Sequence, residues 1–366
     1  MKSYYAMLLS MAALSLAVPA RAADLVYLTN SADAIVVGAT NSRLEGAERV
    51  SFDLAAERII KGDTTITLFH VSHPWRRLGA AFSGDATEPI NVSIHGLWFL
   101  RRSASGDWDV LPANGRDGMI FNLYLPATSV VPQRYAAASG ASVLDHVVLE
   151  FAAGAEGDGN RIRAAVEVLR TARTPAIDVV TAAYLASPAP VVQSAGLTLS
   201  LAHNQPDAIA TLVRLWPSVS TDPSRVQIAA ALRDSYRDPS PAAIKQLAAL
   251  AGDAAFSELR PAAIRALAAI HTKEALPALA ELLQSSDPEE RMTGVFGLSS
   301  FANGCPAQTP DNVASLEYLQ FENPSPYRNS DTIAHFAFRR GPAEQEAELV
   351  SYWLGWWSKH KGELSN

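Results

Sequence analysis

Arg260-Pro-Ala-Ala-Ile264-Arg-Ala-Leu267-Ala-Ala-Ile270 and Arg291-Met-Thr-Gly-Val295-Phe-Gly-Leu298-Ser-Ser-Phe301 are one pattern written twice, 31 residues apart. Arginine opens each copy, and apolar residues follow at the 3–4 residue spacing of one helical face. The pattern continues upstream. Arg225-Val-Gln-Ile-Ala229 with Leu232 stands 35 residues before the Arg260 copy, and Val192-Gln-Ser-Ala195 stands 34 before Val226-Gln-Ile-Ala229. Arg161-Ile-Arg-Ala-Ala-Val166 fits one period further back. A period of 31–35 residues holds two helices and their turns, too little to bury an apolar face alone. Stacked units bury it, so the spacing predicts an α-solenoid over 141–304.

Helix starts punctuate this half. Asp287-Pro288-Glu289-Glu290 places a capping carboxylate before a first-turn proline, with Glu290 positioned to close a capping box. Asp222-Pro223 and Ser240-Pro241 repeat the device. The last strongly periodic segment, about Ala343 to His360, carries Tyr352, Trp353, Trp356 and Trp357 on one helical stripe. A solenoid needs its exposed end covered, so this stripe is expected to belong to a capping helix. Residues 305–330, rich in Pro and Asn, read as an irregular connection into it.

Residues 24–126 have another texture. Ala34-Ile-Val-Val-Gly-Ala-Thr40 reads as a buried strand, and Val50, Phe52 and Leu54 alternate with Ser51, Asp53 and Ala55. Lys61-Gly62-Asp63 is a turn signal before Thr65–Val71. Gly96–Leu100, Trp108–Leu111 and Met119–Tyr124 complete five or six short strands, the makings of a small barrel or sandwich.

Met1 to Ala22 has the form of a secretory signal peptide: Lys2, the apolar run Ala6–Val18, and Pro-Ala-Arg-Ala22 as a small-x-small cleavage pattern. Loss of Lys2 and Arg21 would take the formal net charge from −7 to −9. No later stretch reaches ~18 uninterrupted apolar residues, so no transmembrane anchor is expected. The expected location is periplasmic or extracellular, in a bacterial envelope. The domain plan is therefore a signal peptide (1–22), a β domain (23–128), a linker (129–140), a solenoid (141–304), and a connection with an aromatic capping helix (305–366).

The Asp287…Arg291…Val295…Leu298 pattern, preceded by Ala275-Leu-Pro-Ala-Leu-Ala-Glu-Leu-Leu283, resembles the HEAT-repeat (armadillo-like) family over about 141–305. That resemblance implies a surface that holds another macromolecule and carries no catalytic residue across. In the β half, Ser31–Gly38, Ile60–Asp63 and Gly96–Arg102 resemble the OB-fold-related netrin-like and tissue-inhibitor-of-metalloprotease-like modules. The inhibitors of that family use an N-terminal cysteine, which a chain beginning near Ala23-Asp24 lacks. The fold class is multidomain α+β: a small OB-like barrel, then a HEAT-type solenoid with a C-terminal cap.

Composition excludes several chemistries. Cys305 is the single cysteine, so no internal disulfide or multi-cysteine metal site forms. The 30 basic against 37 acidic residues argue against a nucleic-acid partner, and the acidity is spread over both halves. No G-x-S-x-G, H-E-x-x-H, P-loop or G-x-G-x-x-G occurs. His70 and His73 would point to opposite faces of a strand, so they share no metal, and no cofactor is implied. Two groups remain as binding candidates. Trp75, Arg76 and Arg77 open a long connection and could pair with an anionic or planar ligand. Trp353, Trp356 and Trp357 could anchor a partner. The leading expectation is an exported, non-enzymatic scaffold whose solenoid binds another protein. Glycan or small-ligand binding through the β domain is the second, and a hydrolase with a dispersed site is the third.

Overall fold

The computed structural model describes residues 25–45, 49–74, 95–111, 128, 130–219, 222–304, 325–336 and 342–364. The signal-peptide segment, the Met119–Tyr124 strand and Cys305 lie outside these. The chain forms two compact units, Met1–Gly196 and Leu197–Asn366.

The first unit opens with a short helix, α1 (Leu25–Ser31), and five strands: β1 (Ala34–Glu45), β2 (Arg49–Lys61), β3 (Leu68–Pro74), β4 (His95–Arg102) and β5 (Trp108–Val110). They close into a barrel in the order β1-β2-β3-β5-β4, with β3 and β5 parallel at Val71 and Trp108 and the other pairs antiparallel. Of the barrel or sandwich expected from the strand count, the chain forms the small barrel. Ala34, Val36, Phe52, Leu54, Phe69, Val71, Trp98, Leu100 and Val110 fill it. Trp98 packs against Phe52 with ring centroids 5.4 Å apart and donates Nε1–H to the Gly38 carbonyl at 3.1 Å. A Cβ on Gly38 would sit 2.1 Å from the Ala55 carbonyl oxygen, so only glycine lets β1 approach β2 there.

The two kinds of strand pattern have separate causes. β2 alternates because one face meets the core and the other, with Asp53, does not. β1 and β4 carry unbroken apolar runs because Ile35, Val37, Leu97 and Phe99 are buried as well. Helices cover that wall: α1 packs on β4, and the first helix after the barrel, α2 (Val143–Ala155), packs on β2 and α1. Strands buried on both faces read as continuous hydrophobic stretches.

Three helices follow α2: α3 (Gly159–Leu169), α4 (Ala176–Leu185) and α5 (Pro190–Ala202), the last crossing into the second unit. Glu150 of α2 is buried to 1% exposure and pairs with Arg58 of β2, while its Oε1 accepts the Thr128 amide at 3.0 Å. Burial pushes the Glu150 carboxyl above its ordinary range, against the pull of Thr128 and Arg58. On the same helix, Asp145 completes a capping box with Ser142 and also accepts from the Thr174 hydroxyl and the Ala176 amide, 3.1 Å. Burial opposes its ionisation, but these donors win and hold it at about 2.

The second unit continues with α6 (Ala208–Leu215), α7 (Asp222–Asp234), α8 (Pro241–Gly252), α9 (Arg260–Ile270), α10 (Leu276–Leu282), α11 (Pro288–Asn303), a short α12 (Ser330–Ala334) and α13 (Pro342–Leu364). The second helix of each pair stacks on the next: α7 on α9, α9 on α11, α11 on α13. Ile264, Leu267, Ile270, Val295 and Leu298, the residues of the repeated pattern, are buried. Ser240 caps α8 by accepting the Ala243 amide at 3.3 Å, and Asp287 caps α11 by accepting Glu289 N–H at 2.8 Å. The capping box expected at Glu290 does not form. Ser285 Oγ takes the Asp287 amide at 3.1 Å, which leaves Glu290 free for a partner in another repeat.

Candidate interaction surface

The arginines that open each repeat copy do the same work three times. Arg225 donates Nε–H to the Val219 carbonyl at 2.9 Å and grips Glu258 at 2.7 and 2.8 Å, with its guanidinium 4.8 Å from the Trp216 ring centre. Arg260 reaches the Ala251 carbonyl and holds both oxygens of Glu290, at 2.5 and 2.8 Å. Arg291 reaches the Ser285 carbonyl at 2.8 Å and Glu346 of α13 at 2.6 Å. Each arginine thus ties off a carbonyl at the end of its own pair's first helix and grips a carboxylate of the next unit. The fork geometry of guanidinium and carboxylate suits this clamp. Glu290, bonded by Arg260, ionises below its ordinary range.

The last rung places α13 where another repeat would stand. Leu349, Trp353, Trp356 and Leu364 are its buried stripe. Trp353 donates Nε1–H to the His335 carbonyl at 3.1 Å, and His335 stacks flat on Tyr352 at 3.7 Å. Trp356 packs edge-on against Tyr327, centroids 5.8 Å apart, and tilts toward His360 at 4.9 Å. Trp357 is half-buried. Two of the three tryptophans offered as partner anchors thus spend their rings inside the fold. Trp75, Arg76 and Arg77 lie outside the described residues.

Residues 220–299 match the family model for HEAT repeats. No curated protein and no solved structure matches the chain. The HEAT segment spans α7 to most of α11 and contains the Arg225 and Arg260 rungs entire. Among the described residues, no cluster of His, Cys, Asp and Glu could hold a metal ion, and no helix is long and apolar enough to cross a membrane. His70 of β3 pairs outward with Asp53 at 2.5 Å, an exposed cross-strand pair.

Among the described residues, two concavities open on the helices of the second unit. One, of about 460 Å³, lies between α8 and α10, with Ile244, Ala248, Pro277 and Leu364 as its floor and Lys245 and Glu281 among its polar lining. The other, about 490 Å³, lies where the α5–α6 turn meets the α7–α8 turn. The sequence reading missed this second place, which only the backbone geometry reveals. Second helices of the stack end in left-handed residues at Asn204 (φ 51°), His271 (φ 59°) and Gly304 (φ 66°). One period after Asn204 stands Arg237, which caps α7 differently: its guanidinium donates to the carbonyls of Arg233, Asp234 and Tyr236 at 3.1, 3.1 and 2.6 Å. Asn204 then bridges the two turns by accepting the Arg237 amide at 2.5 Å.

Proposed function

We propose that this is an exported, non-enzymatic scaffold whose HEAT segment binds another protein. The single observation that carries this is the repeat stack itself: residues 220–299 match HEAT repeats, and its side-chain clamps hold successive helix pairs in register. A rigid array of helix pairs gives an extended surface whose outward residues are free to vary, as Val226 at 67% exposure is. The sequence features of residues 1–22 support export.

Photo-crosslinking tests this in the full chain. A benzophenone amino acid is placed at Val213 or Val226 on the helices, or at Leu68 on the barrel, all exposed positions. Crosslinks in the native envelope to one protein from the helical positions are the expected result. Crosslinks from Leu68 alone would move the function to the barrel. No protein crosslink from any position would overturn the scaffold reading.

A further inference from the structure

We propose that the 490 Å³ cavity between the α5–α6 and α7–α8 turns receives a lysine or arginine side chain of the bound protein, which names a partner chemistry for the scaffold function and rests on it. Its polar lining includes two side chains, Asp207 and Gln246, for which the described residues supply no hydrogen-bond partner. Asp207 stands at the N-cap of α6, where an aspartate ordinarily accepts an amide of the first turn. Here its left-handed backbone, φ 59°, turns the side chain away and no capping bond forms. The exposed carboxylate is therefore left over at the cavity rim. Gln246, half-buried on α8, adds a carboxamide that has no partner among the described residues.

The back of the cavity makes the same point from a buried group. Tyr236 is 1% exposed, and its hydroxyl has Asp238 Oδ2 as partner only at 3.5 Å. Made hydroxyl–carboxylate bonds are about 2.5–3.0 Å long, so this buried pair is held only loosely and both oxygens keep lone pairs for a stronger donor at the cavity. Asp238 has meanwhile spent Oδ1 on the Ser240 amide at 2.9 Å. The cation on the cavity wall, Arg237, does not compete for these acceptors, because its guanidinium is committed to the carbonyls of Arg233, Asp234 and Tyr236. The N-terminus of α8 would favour an anion, but Ser240 Oγ already accepts the Ala243 amide there. Two carboxylates against one guanidinium leave the lining one negative charge in excess, with lone pairs to spare, and a guanidinium or ammonium supplies several donors to match them.

The probe is the blocked tripeptide Ac-Gly-Arg-Gly-NH2, with the lysine analogue beside it and Ac-Gly-Gln-Gly-NH2 as the neutral control. Amide chemical-shift titration of the full chain reads the site. Saturable shifts centred on Asp207, Ser240 and Gln246, at least tenfold weaker for the neutral peptide, are expected. Asp207→Asn and Gln246→Ala should each weaken the cationic peptides about fivefold or more, and Glu281→Gln in the other concavity should leave them unchanged. Equal shifts from cationic and neutral peptides, or binding indifferent to both substitutions, would overturn the proposal. Circular dichroism matching the parent chain keeps either outcome interpretable. Crosslinks at Val213 or Val226 without peptide binding would sink this cavity alone and leave the scaffold reading standing.

Discussion

Barrel and repeat stack fix their registers with different parts of the chain. In the barrel the backbone does it: ten residues of β1, from Ile35 to Glu45, face set partners on β2, and Ala34–Ala39 face β4. A slip of one residue would turn Phe52 and Leu54 out of the core, so the pattern of side chains and the ladder enforce each other. Helix pairs share no such ladder. Their stagger is set by apolar packing and by long side chains, each arginine clamping a carboxylate in the next unit. Damage to one side chain should therefore spread through the barrel and stay local in the stack.

The largest expected effect follows from the barrel side of that contrast. Trp98→Ala removes one of the two largest fully buried side chains among the described residues, its ring contact with Phe52 and its bond to Gly38. Such truncations cost about 3–5 kcal/mol. Hydrogen exchange should show β1, β2 and β4 amides losing protection together, with α9 and α11 unchanged. Loss confined to β4 would break the comparison, because the barrel would then fail piecemeal.

Next in size is the acid response of α2. Asp145 titrates in the folded chain at about 2, below the ~3.9 of an unfolded aspartate. A lowered folded value means its stabilisation is complete above pH ~4 and disappears as pH falls toward 2. Asp145→Asn should cost about 2–3 kcal/mol at pH 7, the range for charge-assisted bonds, and remove most of the pH dependence in that window. Glu150 works in the opposite sense: its folded value is raised by burial, so its protonation on acidification lifts the desolvation cost of the buried carboxylate. Near-ultraviolet circular dichroism against pH, on both Asp145→Asn and Glu150→Gln, separates the two. An unchanged profile in both variants would mean that other groups govern acid unfolding.

A middling effect is expected in the stack. Arg260→Ala deletes a two-pronged bond to Glu290 and a bond to the Ala251 carbonyl, at a cost of about 1–2 kcal/mol after allowing for its partial exposure. A double-mutant cycle with Glu290→Gln should return a coupling energy of about 1 kcal/mol. Coupling near zero would leave packing alone as the keeper of register.

How much of this was legible in sequence divides along the same line. The repeated Arg–apolar pattern predicted the stack because one helix face must carry the same residues in every unit. Trp353 and Trp356 were legible as a stripe, and their burial follows from a bare end that needs covering. The capping box at Glu290 was a misreading with a physical cause: local spacing shows that a carboxylate can reach back, but a guanidinium 30 residues upstream in sequence is the stronger partner. The clamps themselves were hidden for that reason. Arg260 and Arg291 could be seen to recur, but their partners sit in the next unit at no fixed offset: Glu258 is 33 residues from Arg225, Glu290 is 30 from Arg260, and Glu346 is 55 from Arg291. The cavity at Asp207 was invisible because a left-handed N-cap aspartate and an ordinary one are spelled alike.

The smallest effect discriminates most finely between clamp and ornament. Arg225 and Glu258 form the outermost rung, with the carboxylate 59% exposed against 14% for Glu290. Water and salt screen such a pair, so Glu258→Gln should cost no more than about 0.5 kcal/mol and should cost nothing measurable at 0.5 M salt. Arg225→Ala should cost more than its partner's replacement, about 1 kcal/mol, because the guanidinium also covers Trp216 and bonds the Val219 carbonyl. That asymmetry, measured by denaturant unfolding of the second unit's signal, assigns the rung's worth to what arginine does within its own repeat. If the two substitutions cost the same, the exposed carboxylate carries the rung, and the ladder would be uniform from Arg225 to Arg291 despite the uneven exposure of its carboxylates.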